Sequence, residues 1–411
     1  MTKTITTFIF LIFCYSVSAQ VYWNGGSGKW TEASKWSTGQ VPTAVDSVVI
    51  NTEDARVSIA NAGFVKIKAM YLGFESELTI ETDNTLLVSG GAGDAITSFS
   101  GRFFIDGTLQ VMNAAKSGMM LDARDQFNLT RLNNNGLIEV EGSGGNGIGA
   151  GGVALDNEGM IISERNTLAG ISIGHPQGID INRGTIICRN NSTGMRVSSD
   201  TFINEGTILI SNSDGSGLSV TGNLNNTNVI EISDSGSRGV QVTDAGTIIN
   251  TSESTIEVTN SFDGAVVTSG STFQNNGRLQ IISSNSFGLT LMDSSILKSF
   301  GLNEILIDTA QIGISAGDKS TIDLRGAVVV KNCSVDGVQQ FGTSLFMLRA
   351  SSSLSISKTT QSAYQLFDQS TSQFFSGTSL ITDLITGTPV FSVNDSASLI
   401  MDDGAEMMIG I

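Results

Sequence analysis

The stretch from Asn182 to Val220 reads N-R-G-T-I-I-C-R-N-N-S-T-G-M-R-V-S-S-D-T-F-I-N-E-G-T-I-L-I-S-N-S-D-G-S-G-L-S-V. It contains two copies of one phrase, N-R-G-T-I-I-C at Asn182 and N-E-G-T-I-L-I at Asn204. Working outward, the phrase returns at Asn134, Asn157, Asn226 and Asn275, with a degenerate copy, S-E-S-T-I-E-V, at Ser252. The steps from Asn134 onward are 23, 25, 22, 22, 26 and 23 residues, and self-similarity at such a period marks a solenoid. Between the copies lies a second phrase, a Gly leading alternating apolar residues, at Gly170, Gly194, Gly217, Gly239, Gly264 and Gly288. A third short apolar run, such as Thr201-Phe202-Ile203, precedes each Asn.

Three runs per period, mostly alternating and separated by Gly, Asn, Ser or Asp, are strands, and no stretch holds a helical period. The expectation is an all-β, right-handed parallel β-helix with 22–26 residues and three short strands per coil. Each strand then pairs with its counterpart one coil away, about 4.8 Å along the axis. Inward columns follow: Ile208, Ile230 and Ile256 in one, Ile210, Ile232 and Val258 in another, with Ile186 and Cys188 one coil earlier. Cys188 reads as a small buried hydrophobe. It stands roughly 29 Å from Cys333 at that coil spacing, too far for a disulfide.

Asn134, Asn157, Asn182, Asn204, Asn226 and Asn275 are expected to form a structural ladder, passing side-chain amide hydrogen bonds from coil to coil at a bend. Gly136, Gly159, Gly184, Gly206 and Gly277, two residues later, are expected to supply positive φ. The Gly-rich run at 142–152 reads as a mobile loop or a widened coil. It lacks the G-K-[ST] ending of a phosphate loop.

With 39 acidic against 22 basic residues the net charge is −17, which argues against nucleic acid and anionic lipid as partners. The expected partner is instead an extracellular polysaccharide or a host or matrix surface. No cofactor is expected, calcium being the one ion that the acidic balance would suit. One His and two Cys after the leader exclude an ordinary zinc site, so no metal ligands are assigned. The leader is residues 1–19: Lys3, an apolar core from Phe8 to Phe13, and small residues at Val17-Ser18-Ala19 make a secretory signal peptide. No later stretch is long and apolar enough to cross a membrane. The expected location is secreted or cell-surface.

Residues 20–50 are expected to form an N-terminal cap and 51–411 the β-helix. The cap contains all three Trp, in V-Y-W-N-G-G-S-G-K-W-T-E-A-S-K-W from Val21, and then runs through Pro42 and Asp46 to Val48 and Ile50. This resembles the W-x-G-G-x-G-x-W segment at the start of many bacterial secreted and surface β-helix proteins, adhesin-like ones and pectin-lyase-like solenoids among them. The resemblance covers about thirty residues and implies an architecture, not an activity. Trp23, Trp30 and Trp36 are candidates for ring stacking on a glycan, though a solenoid also needs its end covered. Beyond residue 300 the register is expected to loosen, with inward Phe taking over. The apolar last stretch, G-A-E-M-M-I-G-I, reads as a coil that continues or is covered by a partner.

The catalytic candidates are Glu231 and Glu257, on outward sites of adjacent coils. Two carboxylates about 5 Å apart can share a proton, hold a cation or act as a glycosidase pair. The outward sites of the Gly-led strand, Ser172, Arg196, Ser219, Gln241, Val266 and Thr290, carry no acid. His175 reads as a loop surface residue, and with one His no Ser/His/Asp arrangement is credible. These residues favour a non-enzymatic adhesin, stalk or matrix component. The alternatives are a β-helix polysaccharide lyase or hydrolase, and an N-terminal scaffold of a larger surface protein.

Overall fold

The structure, a computed structural model, describes residues 20–410 apart from 74, 124–127, 176–177 and 302. The expected signal peptide lies outside the described residues. The chain is a right-handed parallel β-helix built from two sheets, one of 29 strands and one of 16. One coil shows the plan. Thr201–Asn204 lies in the smaller sheet, then Thr207–Ser213 and Leu218–Val220 lie in the larger one. Sixteen such coils at about 4.8 Å make a rod of about 75 Å. A single 3₁₀ turn, Ala33–Lys35, is the one helical element among the described residues.

The period-2 alternation is what closes the coil. Ile208 stands opposite Ile230, which stands opposite Ile256, and Ile210, Ile232 and Val258 stack beside them. All six side chains are buried. Each contributes about 2 kcal/mol by leaving water. Cys188 fills the same column between Ser163 and Ile210. It and Cys333 are both free and buried.

The Asn ladder is present and has one more rung than expected. Side-chain amides link Asn134, Asn157, Asn182, Asn204, Asn226, Asn250 and Asn275 in turn, at 2.7–2.8 Å. The supposed degenerate copy at Ser252 is displaced by two residues. Four residues lie between Asn250 and the strand start at Thr255, where two lie between Asn226 and Val229. Ser254 closes the longer bend by donating to Asn250 Oδ1 at 2.7 Å.

The glycines two residues after the ladder do not supply positive φ. None of Gly136, Gly159, Gly184, Gly206 or Gly277 has it. They are required by proximity instead. A Cβ on Gly184 would lie 2.0 Å from the Gly159 carbonyl oxygen, and one on Gly206 2.0 Å from that of Gly184. Left-handed backbone falls at a different bend, on Asn190, Asn212, Asp234 and Asn260, with φ of 51–56°. Asn and Asp tolerate that conformation better than other side chains.

Gly147, Gly170, Gly194, Gly217 and Gly239 form a second column, each facing the next coil's carbonyl within 2.9 Å of an added Cβ. This explains the run at 142–152. It is an ordered coil of ordinary width, with Ile148–Ala150 in register with Ile171 to Ile173. Gly144, Gly147 and Gly152 permit close contact, since an added Cβ on each would lie within 2.5 Å of a neighbouring coil.

Beyond residue 300 the stacking continues although the phrase is lost. Asn303–Ala316 pairs along its length with Gly326–Gln340, with one bulge between Ala310 and Ile312. Of the Phe residues there, Phe346 and Phe374 point inward and pack 6.3 Å apart beside Tyr364, while Phe341, Phe367 and Phe375 are only half-buried.

At the start of the described chain, Gln20–Tyr22 pairs with Ser47–Ile50, and Ser27–Lys29 pairs with Arg56–Ile59. The Trp segment is thus hydrogen-bonded onto the sheets and not merely laid over them.

Candidate functional site

Three groups of residues come together on or near the surface. The first is the predicted acidic pair. Glu231 and Glu257 are direct cross-strand partners, and both face outward. They line a shallow hollow of about 200 Å³ with Leu209, Ser211, Ser233 and Thr259. Among the described residues, no Arg, Lys or His lines this hollow. The outward column continues with Leu209 before the pair and Gln280 and Leu306 after it. The geometry therefore supplies two adjacent carboxylates on an open face, with hydroxyl groups beside them and no cationic partner among the described residues. Among the described residues, no three His, Cys, Asp or Glu side chains are grouped to hold a metal ion.

The second is the Trp group. Trp23 and Trp30 each pack edge-on against Trp36 at 4.8 Å between centroids. All three are buried, at 3%, 1% and 1% exposure. Trp36 Nε1 donates to the Trp30 carbonyl at 2.8 Å and Trp23 Nε1 to that of Gly26 at 2.9 Å. The rings are packed edge to face and buried, which leaves no open face for a sugar.

The third is a groove on the smaller sheet that sequence reading did not find. Arg102 and Arg131 are cross-strand partners and border a hollow of about 440 Å³. Glu75 and Asp156 lie toward its two ends, and Ile179, 57% exposed, forms an apolar wall. Arg102 pairs with Glu75 at 2.9 Å and Asp156 with Arg183 at 2.5 Å. Arg131 is exposed and forms no ion pair among the described residues. A sequence signal existed. Arg131 lies three residues before ladder residue Asn134, and Arg102 three before Ile105, which pairs with Asn134. Because Ile105 breaks the Asn pattern, that coil could not be aligned.

His175 is not on the surface but 2% exposed, with Nδ1 lacking a partner among the described residues. The coil turns its ring inward over Gly178, where any Cβ would strike it at 1.8 Å. Nearby Asp180 is fully buried and accepts from Ser199 Oγ at 2.6 Å and from the Leu155 amide at 3.0 Å. Burial raises the Asp180 carboxyl above its ordinary range, and these hydrogen bonds and the nearby His175 only partly offset that.

Residues 19–224, half of the chain, match the family described as the BigA third pectate lyase-like domain. The chain belongs to that family. The pectate lyase-like domain assignment agrees with the parallel coils of the structure, and the match ends at 224 while the coils continue to Ile409. No curated protein matches the sequence. Among solved structures, a double mutant of the periplasmic alginate epimerase AlgG aligns with 92% of this chain and 87% of its own, at 9% identity and a TM-score of 0.30.

Proposed function

We propose that this pectate lyase-like solenoid is an exported binding protein, secreted or held at the cell surface, that engages extracellular polysaccharide as an adhesin or matrix component. The observation that carries the reading is the coil-to-coil register, shifted by one bulge between Ala310 and Ile312, which sets shallow hollows of about 200 and 440 Å³ along the rod. Long parallel faces with repeated spacing suit an extended polymer, which needs many modest contacts and no deep cleft. The leader at residues 1–19 supports export, and no described helix is long and apolar enough to cross a membrane.

The test is affinity electrophoresis of the protein through neutral and acidic glycans, with and without calcium, followed by measurement of glycan chain length. Retarded protein with intact chains is the expected result. No retardation on any glycan overturns the reading.

A second reading, a glycoside hydrolase or lyase, is favoured by one observation, the direct pairing of Glu231 with Glu257. Shortened chains would support it, and Glu231→Gln would then have to abolish the shortening.

A further inference from the structure

We propose that the groove around Arg131 binds a saccharide unit carrying one negative charge, a carboxylate or sulfate, with neutral units on either side. The proposal deepens the polysaccharide-binding reading and rests on it.

Along the rod the groove presents acid, base, base, acid: Glu75, Arg102, Arg131 and Asp156. The outer acids are engaged, Glu75 by Arg102 and Asp156 by Arg183. Among the described residues, Arg131 alone brings an uncommitted charge into the hollow. Its planar guanidinium can hold a carboxylate or sulfate through two parallel hydrogen bonds. Arg102, one coil away at about 4.8 Å, is held by Glu75 and leaves the guanidinium of Arg131 as the open anchor. Ile179 stands on the same outward column as Arg131, beyond Ala154. A sugar anchored at Arg131 would therefore lay its C–H face on an apolar side chain.

The flanking ion pairs set the selectivity. A polymer charged at every sugar would find Arg102 and Arg183 already paired with Glu75 and Asp156, which leaves its further anions without a cation. It would also approach a chain of net charge −17, which repels polyanions at longer range. One isolated anion avoids both costs.

The experiment is calorimetric titration of the full protein with sialyllactose, lactose sulfate, lactose and polygalacturonate. The variants are Arg131→Gln and, as a control, Arg196→Gln, an exposed arginine on the other sheet. Thermal melts establish that both variants fold. At least one singly charged probe should bind about tenfold or more tightly than lactose, the scale of one charge-assisted hydrogen bond. Arg131→Gln should remove that advantage and Arg196→Gln should keep it, while polygalacturonate should bind no better per charge. The carboxylate and sulfate arms distinguish the two anions. Equal binding of lactose and both charged probes would overturn the charged site while leaving the polysaccharide-binding reading intact. An unchanged affinity in folded Arg131→Gln, or preference for polygalacturonate, would also overturn it. Binding of no glycan in this set or in the electrophoresis would overturn both.

Discussion

Asn226 donates from Nδ2 to Oδ1 of Asn250 at 2.8 Å, and Asn250 donates onward to Asn275 at 2.7 Å. Asn250 is thus an interior rung, fully buried, and it also donates to the Arg278 carbonyl. Asn250→Ala would leave a buried donor and a buried acceptor unmet, at about 1–3 kcal/mol for each. The expected loss is about 3 kcal/mol. Asn134, whose Oδ1 has no donor because Ile105 precedes it, should cost less when changed to Ala. Denaturant melts of the two variants check the order, and equal losses would contradict a ladder that couples neighbours.

Glycine contact should matter more than glycine flexibility. A Cβ on Gly239 would lie 2.1 Å from Val258 Cγ1 and 2.7 Å from the Gly264 carbonyl oxygen. Relief requires two coils to separate, so Gly239→Ala should cost about 3 kcal/mol, the upper range for overpacking. Gly270, at φ +69° with open space around it, should lose only about 1 kcal/mol as Ala, from backbone strain. Thermal melts of both variants provide the comparison.

Asp180 gives a pH signature. Its carboxyl is raised above the ordinary value of 3.8, chiefly by burial. Below that value the carboxyl is protonated folded or unfolded, and no penalty arises. As pH rises toward and through the raised folded value, the unfolded chain releases its proton first, and stability falls. Asp180→Asn keeps an acceptor for Leu155 and has no charge to bury. The variant should melt higher than the wild type at pH 7, with the gap closing toward pH 3. A gap of the same size at both pH values would place its cause elsewhere.

The two buried thiols should be silent in the folded protein. Burial pushes both Cys188 and Cys333 up to about 12, so almost no thiolate is available at neutral pH. Iodoacetamide should label neither within hours under native conditions and both in denaturant, as read by mass spectrometry. Labelling of Cys333 alone in the native state would mean that the coils near the Ala310 bulge open locally.

Much of this was legible in the residues. Ile208, Ile230 and Ile256 share a phase in the sequence and a column in the fold, because an inward side chain must repeat at the coil length. Glu231 and Glu257 became neighbours for the same reason. Ser252 misled because a bend can absorb two extra residues without disturbing the strands around it, so equal spacing points to the wrong rung. His175 misled because Gly and Pro beside it resemble a loop, whereas whether a ring turns inward depends on space left by Gly178. The Trp group could be read as a binding surface or as packing until its ring contacts were known.

The sequence by itself determined that the chain coils, its approximate period and which faces are apolar, since alternation and repetition are local properties of a chain that stacks only on its neighbours. Only the tertiary structure decided that Arg131 stands uncommitted between Arg102 and Asp156. Charge pairing across coils depends on register, and register is set by bend lengths that a missing Asn at Ile105 concealed.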